Sequence, residues 1–213
     1  MIKYLCKPYG DIDVIWTQHL DGGGWDFGQA LVAFVEERIG PVDSMLEWCC
    51  GPGFIGFAAL AGNVCRRLTL TDINEEALLV CRETVRENQL EEKVRLFTSD
   101  CFDDIPAQER WDVIVANPPV RGGRYLDPRL GPSILYIDEE WKAHRKFYRQ
   151  VRDHLNPVGS VAMIESQKWS KPGEFREMAE KNGLEWLGDF PVGDGEYSHL
   201  YITWARMPVH GRP

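Results

Sequence analysis

Met45 to Gly56 reads MLEWCCGPGFIG, an apolar run that passes through an acid, Glu47, and gives way to Gly51, Gly53 and Gly56. The pattern predicts a buried strand turning tightly into a helix, with glycines where a side chain would block close backbone approach to a ligand. The G-x-G-x-x-G spacing does not by itself choose the ligand, since it suits a dinucleotide as well as other nucleosides. Glu47 shifts the choice. A pyrophosphate is dianionic and seeks helix-terminal N–H groups, so a carboxylate just ahead of the first glycine would repel it.

A cationic ligand end suits Glu47 better. S-adenosylmethionine (SAM) has such an end, with an ammonium and a sulfonium, and a nearby carboxylate offsets charge that is otherwise costly to desolvate. A local cap or pair is the alternative role for Glu47. Downstream, Arg67 to Asp72 (RLTLTD) is a second strand ending in an acid, at the offset that puts Asp72 over the ribose hydroxyls of a nucleoside on the glycine turn. Such a charged hydrogen bond contributes roughly 1.5–3 kcal/mol. Ile73 would then flank the adenine. Asp-x-x-Glu before an apolar run is also a capping box, which gives Asp72 a second possible role. A third strand, Val94 to Ser99, ends at Asp100 and Cys101, candidates for the adenine edge.

A fourth strand, Asp112 to Ala116, runs into Asn117-Pro118-Pro119-Val120. Two consecutive prolines fix the backbone and remove two N–H donors, so their carbonyls and the Asn117 amide oxygen form an acceptor-only corner. An –NH₂ group fits it. By accepting its hydrogens, the corner turns the nitrogen lone pair toward a donor methyl, and no strong base is required before attack.

With these segments in this order, the chain resembles the class I SAM-dependent methyltransferases, and within them the amino-methyltransferases that carry an Asn-Pro-Pro-aromatic motif. That group includes protein-glutamine, ribosomal RNA guanine and adenine-N6 methyltransferases. The resemblance spans roughly residues 28–165, with an echo of the glutamine branch in a fifth strand, Val161 to Ser166 (VAMIES), after the turn Asn156-Pro157-Val158-Gly159. It implies an α/β fold: a Rossmann-like, mostly parallel sheet of seven strands with helices on both faces and the last strand antiparallel. It also implies SAM as methyl donor, held by Glu47, Gly51, Gly53, Asp72, Ile73, Asp100, Cys101 and Asn117, with Asn117 and Pro118 positioning the acceptor. One departure is Val120, where the family places Tyr, Phe or Trp to stack on a planar target. Trp16, Trp25 and Tyr125 are the substitutes in reach of the pocket, or else the target is not an extended ring.

The chain of 213 residues reads as one domain, with a lid and helix segment over 1–44 and a catalytic core over 45–213. So short a segment ahead of the first core strand predicts a small substrate or one held by local insertions. Asp21 to Gln29, DGGGWDFGQ, pairs a glycine run with Trp25 and Phe27 and reads as a lid, followed by a helix with Leu31, Phe34 and Val35 on its apolar face. After Asn117, Arg121 and Arg124 flank a glycine pair and could grip a carboxylate or phosphate, with Val120 and Tyr125 beside them. Asp194, Glu196 and His199 lie on a later polar loop, Asp189 to His199, between Leu184–Leu187 and a strand Leu200–Trp204.

The net charge is −9, from 24 basic and 33 acidic residues, and no basic stripe is visible, which argues against a nucleic-acid partner. His144-Arg145-Lys146 with Arg149 and Arg152 falls at helical spacing and reads as a solvated face. The six cysteines show no zinc spacing, so no metal is expected. No apolar span or leader is apparent, and the chain reads as cytoplasmic and reduced, away from membranes. No pattern fixes an oligomeric state. The expectation is a SAM-dependent N-methyltransferase acting on an amine, amide or guanidine-like nitrogen. A small molecule is favoured as substrate, then a protein side chain such as glutamine, then nucleic acid. The non-enzyme alternative, a SAM-binding module, has no use for an acceptor corner.

Overall fold

A computed structural model describes residues 4–120 and 137–209, so Arg121, Arg124 and Tyr125 lie outside the described residues. The chain starts with an antiparallel hairpin, β1 (Leu5–Tyr9) and β2 (Ile12–Trp16), closed by Gly10 at φ +55°. A two-residue loop with glycine first is the turn that matches strand twist. This hairpin was not among the elements expected of the N-terminal segment.

The helices after the hairpin give it its place. α1 (Gln29–Arg38) leads into β3 (Val42–Trp48) and then α2 (Phe54–Ala61), whose residues from Phe54 to Leu60 are all buried. A helix apolar all round must be covered on both sides. The sheet covers one side of α2 and the hairpin the other, through Ile12 and Val14. β2 also needs partners along its free edge, since buried backbone N–H groups must be satisfied. α3 (Glu75–Glu87) and its C-terminal flank supply them: Thr84 Oγ1 accepts from the Ile15 N–H at 2.9 Å and Asn88 Oδ1 from the Asp13 N–H at 2.9 Å.

The remaining strands are β4 (Cys65–Asp72), β5 (Val94–Thr98), β6 (Trp111–Ala116), β7 (Leu155–Ser166), β8 (Glu185–Pro191) and β9 (Leu200–Arg206). Among the described residues, β3 to β9 form one seven-stranded sheet in the order β5-β4-β3-β6-β7-β9-β8. The pairs β3–β4, β4–β5, β3–β6 and β6–β7 are parallel, and β9 runs antiparallel to both neighbours. Side chains alternate between two cores: Met45, Leu68, Val113 and Ile164 face α1–α3, while Leu46, Trp48, Ile114 and Met163 face α4 (Lys142–Gln150) and α5 (Arg176–Lys181). The direction of winding reverses between β3 and β6. There the ends of adjacent strands open a crevice, the usual ligand position in such sheets.

Two boundaries differ from the expected ones. β7 begins at Leu155, because Asn156-Pro157-Val158-Gly159 is absorbed as an irregularity in pairing with β6 rather than standing as a turn before the strand. β8 reaches Pro191, which shortens the polar loop to residues 192–199. No helix among the described residues is long and apolar enough to cross a membrane.

Candidate active site

The turn from β3 to α2 is held by its own backbone. Cys49, Gly51 and Gly53 take φ of 54°, 50° and 79°. A Cβ on Gly53 would stand 2.8 Å from Leu70 and 2.9 Å from Phe57, and one on Gly56 would stand 2.8 Å from Glu47 Oε2. Both glycines therefore let α2 press against β4. Gly51 is fixed at both polar groups: its N–H donates to Asp72 Oδ2 at 2.8 Å, and its carbonyl accepts from the Cys50 and Cys81 thiols.

Glu47 is 2 % exposed and accepts the Gly56 N–H at 2.7 Å. Burial pushes its pKa up to about 8 against the opposing pull of the Gly56 and Ile55 N–H groups. The carboxylate thus also serves the local role the sequence left open, meeting the positive end of α2. Asp72, 8 % exposed, gives Oδ2 to Gly51 and Oδ1 to the Asn74 N–H at 2.9 Å, and burial raises its pKa. The N-cap of α3 is Asn74, whose side chain accepts from the Glu76 N–H. Asp72 instead ties the glycine turn to the start of α3 while lining the cleft.

The cleft consists of two adjoining cavities that share Cys49, Ile73 and Pro119. The first is bounded by Leu20, Gly22, Gly51, Asp72 and Asn117, the second by Ser99, Asp100, Cys101, Asp138 and Lys146. Ile73 is 49 % exposed on the shared wall, an apolar surface for a flat ring. Asp100 pairs with Lys146 at 2.6 Å, and Lys146 also reaches Asp103 at 2.6 Å. Cys101 is buried, with its thiol toward the Ala143 carbonyl. No sequence pattern announces Leu20, Asp138 or Lys146 as part of this wall, whereas Gly22 belongs to the glycine run expected to cover the pocket. Pro119 was visible in the motif, and it rather than the buried Pro118 lines both cavities.

Asn117 leaves β6 beside Cys49, because Ala116 is in register with Trp48. Its Nδ2 donates to the Gly22 carbonyl at 2.8 Å. That bond fixes the amide with Oδ1 as its acceptor face, and Oδ1 has no donor among the described residues. Val120 pairs with Ile137, and its carbonyl accepts the Asp138 N–H at 2.8 Å.

The aromatics of the N-terminal segment sit elsewhere. Trp16 and Trp25 stack on each other with centroids 6.5 Å apart, Trp25 bonds to Asp21, and neither lines either cavity. The backbone of that loop forms the wall, through Gly22 and Gly24. It is anchored by Gln29 Nε2 to the Gly24 carbonyl at 2.7 Å and by the Tyr197 hydroxyl to Asp26 at 2.7 Å. Asp194 and Glu196 are exposed, and the His199 carbonyl accepts the Gln167 N–H. His144 does not belong to the solvated basic face expected for it. Arg145 and Arg149 are exposed, but His144 is enclosed between Asp138 and Glu165, which spacing along α4 could not reveal.

These residues fit SAM. The left-handed glycine turn lets a ligand approach the backbone, Asp72 offers carboxylate oxygens beside it, and Ile73 and Asp100 continue the cleft toward a purine-sized space. Comparison with known proteins agrees. The family model described as the methyltransferase small domain matches residues 22–181. The chain is 38 % identical over 181 residues to a ribosomal protein uL3 glutamine methyltransferase of Francisella tularensis, covering 79 % of this chain and 54 % of that one. It is 32 % identical over 136 residues to a ribosomal RNA small subunit methyltransferase C of Haemophilus influenzae, covering 64 % and 36 %. The chain thus spans about half the length, or less, of these curated relatives. In fold it is similar to the glycopeptide N-methyltransferase MtfA solved with SAM, with a TM-score of 0.61, 17 % identity, and coverage of 85 % and 94 %. The glycine turn, the Asp72 oxygens and a match over most of its length together make the chain a member of the methyltransferase small-domain family of SAM-dependent methyltransferases.

Proposed function

We propose that the chain transfers a methyl group from SAM to the side-chain amide of a glutamine in a protein. The observation that carries this reading is the Asn117 corner: a cavity-lining amide whose Nδ2 is taken up by the Gly22 carbonyl, which leaves Oδ1 as its acceptor, next to prolines that have no N–H to offer. A carboxamide –NH₂ has two hydrogens to give and fits acceptors only. Val120 offers no ring for stacking, and a glutamine amide needs none. The favoured expectation of a small-molecule substrate gives way here. It rested on the brevity of the N-terminal segment together with Val120 and the acidic balance, whereas the relatives above are named for protein and RNA substrates and extend well beyond the matched region.

When bound, SAM supplies an electrophilic methyl on a sulfonium. Asp72 would hold the ribose hydroxyls, Ile73 the face of the adenine and Asp100 its edge, while Glu47, which lines neither cavity, would brace the glycine turn through the Gly56 N–H. Asn117 Oδ1 and a carbonyl of the proline pair, through Pro118 as the resemblance implies although Pro119 is the one that lines the cleft, would accept the two amide hydrogens and turn the nitrogen lone pair toward the methyl. As the N–C bond forms the S–C bond breaks, S-adenosylhomocysteine leaves, and one amide proton passes to solvent. Orientation and exclusion of water then provide most of the acceleration. The net charge of −9 weighs against a polyanionic acceptor.

Incubation with radiolabelled SAM and a cell extract, followed by separation into metabolites, protein and nucleic acid, tests the reading. Label is expected in protein and should be released as methylamine on acid hydrolysis, the product of an N-methylated carboxamide. Label confined to RNA or to metabolites would overturn it.

A further inference from the structure

Next to the acceptor corner, a histidine is enclosed by two carboxylates that the transfer chemistry does not use. His144, on α4, is 0 % exposed, with Nδ1 2.6 Å from Asp138 Oδ2 and Nε2 2.9 Å from Glu165 Oε1. Burial opposes charge on both carboxyls: at Asp138 the His144 ring and the Ala143 and His144 N–H groups overcome it and hold the pKa below the ordinary value, whereas at Glu165 burial wins and raises it. Where both are ionised they only accept hydrogen bonds, so both ring nitrogens donate and the ring is charged. Burial alone would strip that charge, but Glu165 and Asp138 outweigh it and push the His144 pKa to about 9. The ring is stacked on Phe175 at 4.5 Å and meets Trp48 and Trp141 edge-on. The other titratable groups of this neighbourhood are Tyr148 and Tyr201, which face Glu165, and Cys49, which faces Asp138.

The two carboxylates belong to different parts of the acceptor wall. Asp138 holds the Val120 carbonyl through its N–H, follows Ile137 of the Val120–Ile137 bridge, and lines the same cavity as Pro119. Its side chain also accepts the Ala143 and His144 N–H groups at 2.8 and 3.0 Å. Glu165 is on β7 two residues past Met163, as Pro118 is two past Ala116, the register partner of Met163. A buried ion triad is a costly way to gain stability, since apolar residues of similar volume often do as well. Here it joins the chain just beyond the Asn-Pro-Pro motif to the strand alongside.

We propose that His144 is a positioning residue for methyl transfer: donating from one ring nitrogen to Asp138 and from the other to Glu165, it fastens the Val120–Ile137 bridge, and with it Pro119, to the sheet. This rests on the methyl-transfer reading above, and His144 acts without touching the substrate. Losing either bond frees the wall that faces the acceptor nitrogen but leaves the glycine turn and Asp72 in place.

The test uses the full chain with ¹⁵N-labelled histidine, together with Glu165→Gln. In the unaltered protein at neutral pH both His144 ring nitrogens should carry protons. Exchange of the Asp138 amide, corrected for base catalysis, should accelerate at least tenfold as the ring titrates near pH 9. In Glu165→Gln the affinity for S-adenosylhomocysteine should stay within twofold, the Asp138 amide should exchange at least tenfold faster, and single-turnover methylation of a ribosomal-protein fraction should slow at least tenfold. The alkaline limb of its pH–rate profile should move to lower pH. A neutral imidazole in the unaltered protein, an Asp138 amide indifferent to the ring's titration, or a folded Glu165→Gln with unchanged exchange and transfer would each overturn the proposal. Should the unaltered protein label no protein at all, the glutamine reading fails, while the ring and amide signals still decide the role of His144.

Discussion

The donor side and the acceptor side of the cleft are built by different means. Around Gly51 the chain holds itself: left-handed backbone at Cys49, Gly51 and Gly53, with N–H groups of the same turn received by Glu47 and Asp72 from the neighbouring strands. At Asn117 the holding groups come from far along the chain. The Gly22 carbonyl is 95 positions away, and Asp138, His144 and Glu165 join α4 to β7. A site made of local backbone geometry is sensitive to added atoms, whereas one made of distant side-chain partners is sensitive to removed ones.

The sharpest way to break this contrast is Asn117→Ala. Removing the amide should leave SAM affinity nearly intact and slow the single-turnover rate by about 10²–10³, as the loss of one well-placed electrostatic group does in other enzymes. Full activity would put the acceptor elsewhere. On the donor side the comparable damage should come from adding a methyl: Gly53→Ala combines left-handed strain of about 1–2 kcal/mol with overpacking of about 1–3 kcal/mol against Leu70 and Phe57. Denaturant unfolding should show a loss of about 2–5 kcal/mol on that basis, and a variant of unchanged stability would mean that the turn relaxes easily.

Asp72→Ala should be milder, weakening SAM by about ten- to a hundredfold in calorimetry, the range of one charged hydrogen bond. Unchanged affinity with lowered thermal stability would reduce Asp72 to a clamp on Gly51 and Asn74. The smallest effect concerns pH. The Glu47 pKa, about 8 in the fold, lies above its ordinary 4.5, so the protonated form favours the folded state. That contribution is complete below about 4.5 and is lost as pH rises through about 8. Asp72, raised by burial as well, acts in the same direction. Glu47→Gln keeps an oxygen for the Gly56 N–H and should flatten the decline of Tm across this window. A decline of equal slope in the variant would assign it to other groups.

The same contrast explains what could be read in advance. The strands of the sheet and the glycine turn were legible because their signals are local: apolar runs ending in acids, and glycines at fixed spacing. The N-terminal hairpin went unread although Leu5–Tyr9 and Ile12–Trp16 flank a Gly-Asp pair. The telling clue was indirect, since FIGFAALA has no polar face and must be covered from outside. The start of β7 was misplaced because Pro157 reads as a turn residue, and only the pairing irregularity opposite Trp111 and Val113 accommodates it. His144 was assigned to a solvated face for want of any local trace of Asp138 and Glu165, which meet it only after the chain has folded. Trp16 and Trp25 are a similar case: their stacking on each other depends on how the hairpin meets the loop, which composition cannot disclose.

Gly22 belongs to both halves of the cleft. It walls the first cavity, proposed above for the donor, and its carbonyl holds the Asn117 amide, proposed above for the acceptor. A donor seated against Gly22 would steady the loop whose carbonyl sets the acceptor corner, so the two substrates are not expected to load independently. Turnover is expected to follow a compulsory sequence, with SAM first and the amide second. S-adenosylhomocysteine would then inhibit competitively against SAM and noncompetitively against the acceptor, which makes the loop backbone the timekeeper of the catalytic cycle.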